Sequence, residues 1–243
     1  MDNRMCDYFI LTKPIEEDIN NDENNRILDM EDRLVYILPK NNLEYYATHG
    51  LFEKGLIEWC KQFCKKDMVF LDIGAHSGTY TLSLANHCRK VYSFEPQRMT
   101  FYSLCGSVAL SNQKNVVCCN FALGSKEQEG KQTLNVVSLD GGGSTLHVDE
   151  SAEILDTEEI ELRTLDSLNI DNICFIKMDV EENELQVLLS SQETLKRSNY
   201  PKILFEMNEF NRRPIDFLES MKYQVYPVNG CINMYLAANV ANP

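Results

Sequence analysis

The sequence has little of what several functional classes require. Across its 243 residues no apolar run approaches the about 18 residues of a membrane helix. The opening Met1-Asp2-Asn3-Arg4-Met5-Cys6-Asp7 lacks the basic start and apolar stretch of a secretory signal. Basic side chains are scarce: 23 Lys and Arg stand against 37 Asp and Glu, a net charge of −14. A surface of that sign repels nucleic-acid phosphates and anionic membranes, so neither is the expected partner, although a local basic patch can override the average. The nine cysteines lack the pattern of a disulfide framework. Cys60, Cys64, Cys88, Cys105, Cys118, Cys119, Cys174 and Cys231 fall in apolar runs, as buried thiols of a reducing, cytoplasmic compartment do. Cys60 and Cys64 stand four apart, but no second Cys pair or His pair follows, so no metal site is expected.

What is present is ordinary globular composition, 44% hydrophobic and 25% charged, in a chain long enough for one sizeable α/β domain. Residues 1–46 read as an N-terminal extension: an acidic, loosely packed lead-in over the first two dozen residues, then a short strand, Leu34 to Leu38, stopped by Pro39. Residues 47–243 read as the domain proper. Apolar positions at three-to-four spacing from Leu51 to Cys64 predict a helix with Trp59 on its core face. Strands are expected at 68–73, 90–95, 116–121, 133–137, 159–163, 174–179, 202–207, 223–227 and 232–237. Helices are expected at about 79–87, 99–110 and 183–197. That alternation predicts a mainly parallel, Rossmann-like sheet with helices on both faces. The short link between the last two strands predicts that one of them enters antiparallel.

The informative stretch is Phe70-Leu71-Asp72-Ile73-Gly74-Ala75-His76-Ser77-Gly78-Thr79-Tyr80: a strand, a glycine-containing turn, then a helix. Gly74 lets the chain turn at the strand's carboxyl end, where open α/β sheets bind ligands, and Gly78 admits a close approach. The loop has neither the dinucleotide G-x-G-x-x-G nor a Walker Gly-Lys-Ser/Thr ending. An acidic residue just ahead of it would repel a pyrophosphate and suits a ligand with an ammonium group and ribose hydroxyls; S-adenosylmethionine has both, plus a sulfonium. Such a ligand requires an acid at the end of the next strand to accept from the ribose diol, and Glu95, followed by Pro96, stands there.

These segments, with Asn120-Phe121-Ala122-Leu123-Gly124, Leu165-Asp166-Ser167-Leu168, Ile176 to Leu185 and Lys202-Ile203-Leu204-Phe205-Glu206, resemble the FkbM-type methyltransferases over about residues 47–210. The resemblance implies a class I fold with a seven-stranded sheet, S-adenosylmethionine as cofactor, and methyl transfer to a hydroxyl of a small molecule or sugar. Carried over by position, Asp72, Gly74, Ala75 and Gly78 would hold the methionine moiety. His76, Thr79 and Pro96 complete that loop and strand end, Glu95 would hold the ribose, and Asn120, Phe121 and Ala122 would flank the adenine. Asp179 would face the donor methyl. Two positions depart from the family pattern: His76 stands where Asn is usual, and Glu182 replaces the glycine of Asp-x-Glu-Gly.

Lys177 and Asp179 are two apart on one strand and share a face, so Lys177 can keep the Asp179 carboxylate ionised. Glu206 ends a strand on the ligand side. His147, after Gly141-Gly142-Gly143, is a candidate base or a solvent-facing loop residue. His49 is a candidate cofactor contact or a helix cap. Two rival readings remain at this level. Lys177, Asp179 and Glu206 resemble in part the Lys-Asp-Lys-Glu set of RNA ribose 2′-O-methyltransferases, which the −14 charge opposes. The Glu182 departure suits a non-catalytic, cofactor-binding partner subunit.

Overall fold

The computed structural model describes residues 7–14, 33–138, 140–147, 153–207 and 211–240. Its first elements are β1 (Tyr8–Pro14), β2 (Arg33–Pro39), α1 (Leu43–His49) and α2 (Lys54–Cys60). An alternating unit follows: β3 (Val69–Ile73), α3 (Thr79–Ala85), β4 (Lys90–Phe94), α4 (Arg98–Leu110) and β5 (Val116–Cys119). Three strands, β6 (Ala122–Leu123), β7 (Gly130–Val136) and β8 (Asp156–Arg163), form a separate small sheet. The alternation resumes with β9 (Ile173–Met178), α5 (Glu184–Leu189), α6 (Gln192–Arg197), β10 (Lys202–Glu206), α7 (Arg213–Ser220), β11 (Tyr223–Pro227) and β12 (Met234–Asn239).

The main sheet has seven strands in the order β11-β12-β10-β9-β3-β4-β5. Its pairings are parallel from β10 to β5, and β12 enters antiparallel between β10 and β11, as the short final link predicted. The central strands are buried on both faces, which is why they read as continuous apolar runs. Their side chains alternate: Leu71, Ile73, Ile176, Met178 and Phe205 fill one core, while Phe70, Phe175 and Leu204 fill the other with Tyr80, Leu84 and Cys60. Asp72 and Lys177, paired in register on β3 and β9, point toward the second face, beneath α3.

The structure departs from the sequence expectations in four places. Residues 8–14, read as loose lead-in, form β1, which pairs antiparallel with β2 along its whole length. Tyr8-Phe9-Ile10-Leu11 is a β-prone apolar run hidden in a polar average, and Phe9 and Leu11 pack with Leu34, Tyr36 and Leu38. Serines of α4 serve the ribbon: Ser111 Oγ and Ser107 Oγ accept from Val35 N and Ile37 N, each at 2.8 Å, satisfying strand donors that would otherwise lie orphaned against a helix. The remaining lead-in, 15–32, lies outside the described residues. The helix expected over 51–64 is only α2, followed by a 3₁₀ turn over Lys61–Phe63. Leu56, Ile57 and Cys60 form the buried face of α2, and Trp59, to one side of that face, is 37% exposed. The helix expected over 183–197 is broken at Ser190-Ser191 into α5 and α6, because both hydroxyls bond back to backbone carbonyls. The last strand starts at Met234, and Ile232, expected within it, is exposed. Among the described residues no helix is long and apolar enough to cross a membrane.

Candidate active site

A cavity of about 390 Å³ opens at the carboxyl ends of β3, β4 and β9. It starts at the turn after β3, where Gly74 N and Ala75 N both donate to Phe94 O at 3.0 and 2.9 Å, bending the chain over β4. Gly74 has φ +76°, and a Cβ there would stand 1.7 Å from the carbonyl oxygen of Asp179. Only glycine lets the ends of β3 and β9 meet in this way. Gly78, the N-terminal flank of α3 at φ +85°, has a different task. Its missing Cβ admits Leu104 of α4, and Gly78 is not part of the cavity wall.

Glu95, 6% exposed, ends β4 and faces the cavity. Its Oε2 accepts from His76 N at 2.8 Å and its Oε1 from Gln97 N at 2.9 Å. Burial pushes its pKa up to about 7, against the pull of those two N–H groups. Each oxygen keeps a lone pair for a ligand, so the carboxylate is built to accept from a pair of neighbouring hydroxyls. Ala75, His76, Thr79, Pro96, Phe121 and Ala122 line the same half. Phe121 is fixed by Phe94, at a ring separation of 5.6 Å, and by the Arg163 guanidinium 4.5 Å over its face. Asn120 stands outside the wall, its amide donating to Glu95 O and Pro96 O, each at 3.0 Å, and so tying the ends of β4 and β5.

Asp72 is also outside the wall. Fully buried, it accepts from Thr81 Oγ1 at 2.6 Å, while its other oxygen has no partner. Burial raises its pKa, and Lys177 and Thr81 counteract that. Lys177, 5% exposed, donates to Asp179 Oδ2 at 3.0 Å and to Gly74 O at 3.3 Å, and its ammonium lies 5.3 Å from the centre of the Tyr80 ring. Burial works against that ammonium, but the charges of Asp179 and Asp72 hold it above its usual range. Asp179 lines the cavity; burial would raise its pKa, yet Lys177 brings the carboxyl below its ordinary value. Glu206 lies behind it, outside the wall, with its carboxyl hydrogen-bonded to Asp179. Burial and the Asp179 charge push Glu206 up to about 8. Of the two, Glu206 is the one biased toward its neutral form and Asp179 the one biased toward its charged form.

The roof comes from the loop that carries Gly141-Gly142-Gly143, as the sequence leads one to expect, and from the segment after β2. Asp140 Oδ2 accepts from Asn41 and Asn42, both at 2.9 Å, its Oδ1 accepts from Ser138 Oγ and Gly142 N, and its carbonyl accepts from His76 Nε2 at 2.9 Å. A carbonyl only accepts, so His76 carries a proton on Nε2. Burial would raise Asp140, but these donors hold it down at about 2. Glu181 ties the same loop to β9: Gly143 N donates to its Oε1 at 3.0 Å and Thr145 Oγ1 to its carbonyl at 2.9 Å. Glu181 and Glu182 both adopt positive φ, +50° and +74°, so the backbone keeps a glycine-type conformation where Glu182 stands. His147 is exposed, outside the wall, with Nε2 3.4 Å from Asn183 Oδ1. His49 ends α1 and packs on Tyr45, outside the wall.

Among the wall residues that escaped sequence reasoning are Asp140, Glu53, Tyr46 and Asn42. Glu53 has φ +53° and accepts from Tyr80 OH at 2.9 Å. Glu53 lies inside the helix expected over 51–64, so neither it nor Asp140 carries a signal in the sequence.

A parallel sheet with one inserted antiparallel strand, a ligand cavity at its carboxyl ends and an acid ending the second strand of the unit is the class I methyltransferase fold. Within that class, the family model for the methyltransferase FkbM domain matches residues 72–227, and the chain belongs to the FkbM methyltransferase family. Among solved structures, methyltransferase FkbM from Methylobacillus flagellatus KT is similar at 17% identity and a TM-score of 0.51, over 76% of this chain and 46% of that one. This chain thus spans less than half of that protein. A precorrin-6y C5,15-methyltransferase from Geobacter metallireducens GS-15 aligns at 12% identity and a TM-score of 0.49, over 78% of this chain and 90% of that one. A SAM-dependent O-methyltransferase from Thermotoga maritima aligns at 10% and 0.49, over 87% and 76%. No curated protein matches the chain in sequence.

Proposed function

We propose that the chain uses S-adenosylmethionine to methylate a hydroxyl of a small molecule or sugar. The residues fit that cofactor. Glu95 would take the ribose diol, Phe121 and Ala122 would flank the adenine, and the Gly74-Ala75-His76 turn would hold the methionine end. Bound there, the cofactor would supply an electrophilic methyl group on a sulfonium. The observation that carries the reading is an ionised Asp179 in the cavity wall, joined through Lys177 to the carbonyl of the donor loop. Asp179 would orient the acceptor hydroxyl and take its proton, while Lys177 keeps that carboxylate ionised and in place. Glu206, biased toward its neutral form, steadies Asp179 through the hydrogen bond between the two carboxyls. Such a base is typically worth about 10²–10⁴-fold, on top of the gain from alignment.

Acceptor chemistry follows from the wall. Asp179, Glu181, Glu53 and Asp140 present acceptors, and the cation Lys177 is already paired. A neutral or basic acceptor rich in hydroxyls suits these groups; a phosphorylated one would be repelled. The test is incubation with radiolabelled S-adenosylmethionine and fractionated sugars, lipids, RNA and proteins, with calorimetry alongside. The expected result is micromolar cofactor binding and label on a hydroxyl compound. Asp179→Asn should keep most of the binding and lose transfer by about 10²–10⁴-fold. No cofactor binding by the wild type, or label on RNA, overturns the reading.

A further inference from the structure

The sheet separates charge along its own direction. Its carboxyl ends carry Glu95, Asp179, Glu181, Glu182 and Glu206, whereas lysines stand at or just before the starts of β3, β4, β5 and β10. At one corner of this foot, Lys13, Lys61, Lys65, Lys66 and Lys202 lie within electrostatic reach of one set of neighbours. Burial together with Lys61 and Lys66 holds the His87 imidazole below its usual range, and burial together with Lys65 does the same to Lys202. Lys13 acts on Glu58, which is ion-paired to Lys61 at 2.6 Å. The carboxylates in the adjoining sequence are Glu58, Asp67 and Asp171, with Glu16, Glu17 and Asp18 following Lys13 in the chain. Trp59, the only tryptophan in the chain, is exposed at the same corner, edge-on to Phe63 at 4.8 Å. The Lys202 ammonium lies 5.9 Å from the Phe63 ring.

We propose that this corner docks the protein on a membrane bearing anionic phospholipids, with the cavity at the far end of the sheet left open to solvent. The −14 average does not decide the matter at this distance. A six-residue strand such as β9 spans about 20 Å, more than two screening lengths of about 8 Å, so the foot meets a surface largely without the acidic head. The composition suits lipid rather than nucleic acid. The five cations are lysines, whose long stems lie along an apolar boundary with the ammonium in the headgroups; Arg89, exposed just before β4 and bonded through its backbone N–H to Met68 O at 2.8 Å, adds a guanidinium beside them. An indole beside them supplies the amphipathic ring favoured at that boundary.

Because Trp59 stands alone, its emission reads the proposed contact directly. Phosphatidylserine-containing vesicles should shift it to the blue and co-sediment the protein. Neutral phosphatidylcholine vesicles should do neither, and salt near about 1 M should reverse both by cutting the screening length to about 3 Å. The double variant Lys65→Glu/Lys66→Glu, checked for an unchanged melting temperature, should partition at least about 30-fold more weakly, from roughly fivefold for each lysine lost. Equal partition by the double variant, equal partition onto neutral vesicles, or binding of an RNA oligonucleotide without any vesicle binding overturns the proposal.

Discussion

The two halves of the cavity are held by different kinds of bond. On the β3–β4 side, Glu95 is fixed by backbone N–H groups of His76 and Gln97, so its position follows from the turn itself. On the β9–β10 side, Asp179 is held by other side chains, Lys177 and Glu206, and its roof is pinned by Asp140 and Glu181. Backbone-held groups are specified by a short local motif. Side-chain-held groups need several distant positions to agree, and those positions can vary while the fold persists.

The largest expected effect comes at the seam between the halves. Gly74→Ala drives a methyl into the Asp179 carbonyl and should cost more than about 4 kcal/mol, read as loss of soluble, cooperatively melting protein. A melting temperature near wild type would show that the halves are not locked by backbone contact. Lys177→Met comes next. It strips Asp179 and buried Asp72 of their shared cation and should destabilise by about 3–5 kcal/mol. If the backbone-held half is independent, Lys177→Met at a permissive temperature still binds the cofactor, by calorimetry, while transfer fails.

Protonation separates the halves more gently. Glu95 and Glu206 have folded-state pKa values raised to about 7 and about 8, so the stability they contribute is fully present below the unfolded value near 4.5 and is lost as pH rises through 7 to 8. The unliganded protein should lose about 1.4 kcal/mol per pH unit for each proton released in that window, by chemical denaturation. Asp140, held at about 2, acts oppositely and only below pH 4. Because ionised Glu95 is the form that accepts a diol, stabilisation by the cofactor should grow as pH rises through 7. The smallest effect is expected at Glu182, where glycine relieves a left-handed backbone but loosens the unfolded chain. Glu182→Gly should raise stability by about 0.5–1 kcal/mol, about 1–4 °C by thermal melting.

The contrast explains what was legible. Gly74, Ala75, His76, Thr79, Glu95, Pro96, Phe121 and Ala122 were named from the sequence and all line the cavity, as do Lys177 and Asp179. Asp72, Gly78, Asn120, Glu206 and His147 were named with them, yet the structure sets them behind or beside the wall, supporting loop, helix, strand ends and carboxylate. Spacing fixes which strand end a residue occupies; whether its side chain reaches the opening or is spent on a neighbour depends on packing. Trp59 shows the same limit: it fits the three-to-four apolar spacing, yet packing buries Leu56, Ile57 and Cys60 and leaves it at the surface.

The sequence by itself determined the sheet, its one reversed strand, the turn at Gly74 and the acid at Glu95, because each rests on local periodicity or on a residue type demanded by backbone conformation. Packing in three dimensions set the rest: β1 pairs with β2, Asp140 clasps Asn41, Asn42 and His76, and Asp179 meets Glu206 in a hydrogen bond. Those arrangements join residues far apart in the chain, and their energies exist only once burial has removed the water that would otherwise satisfy each group separately.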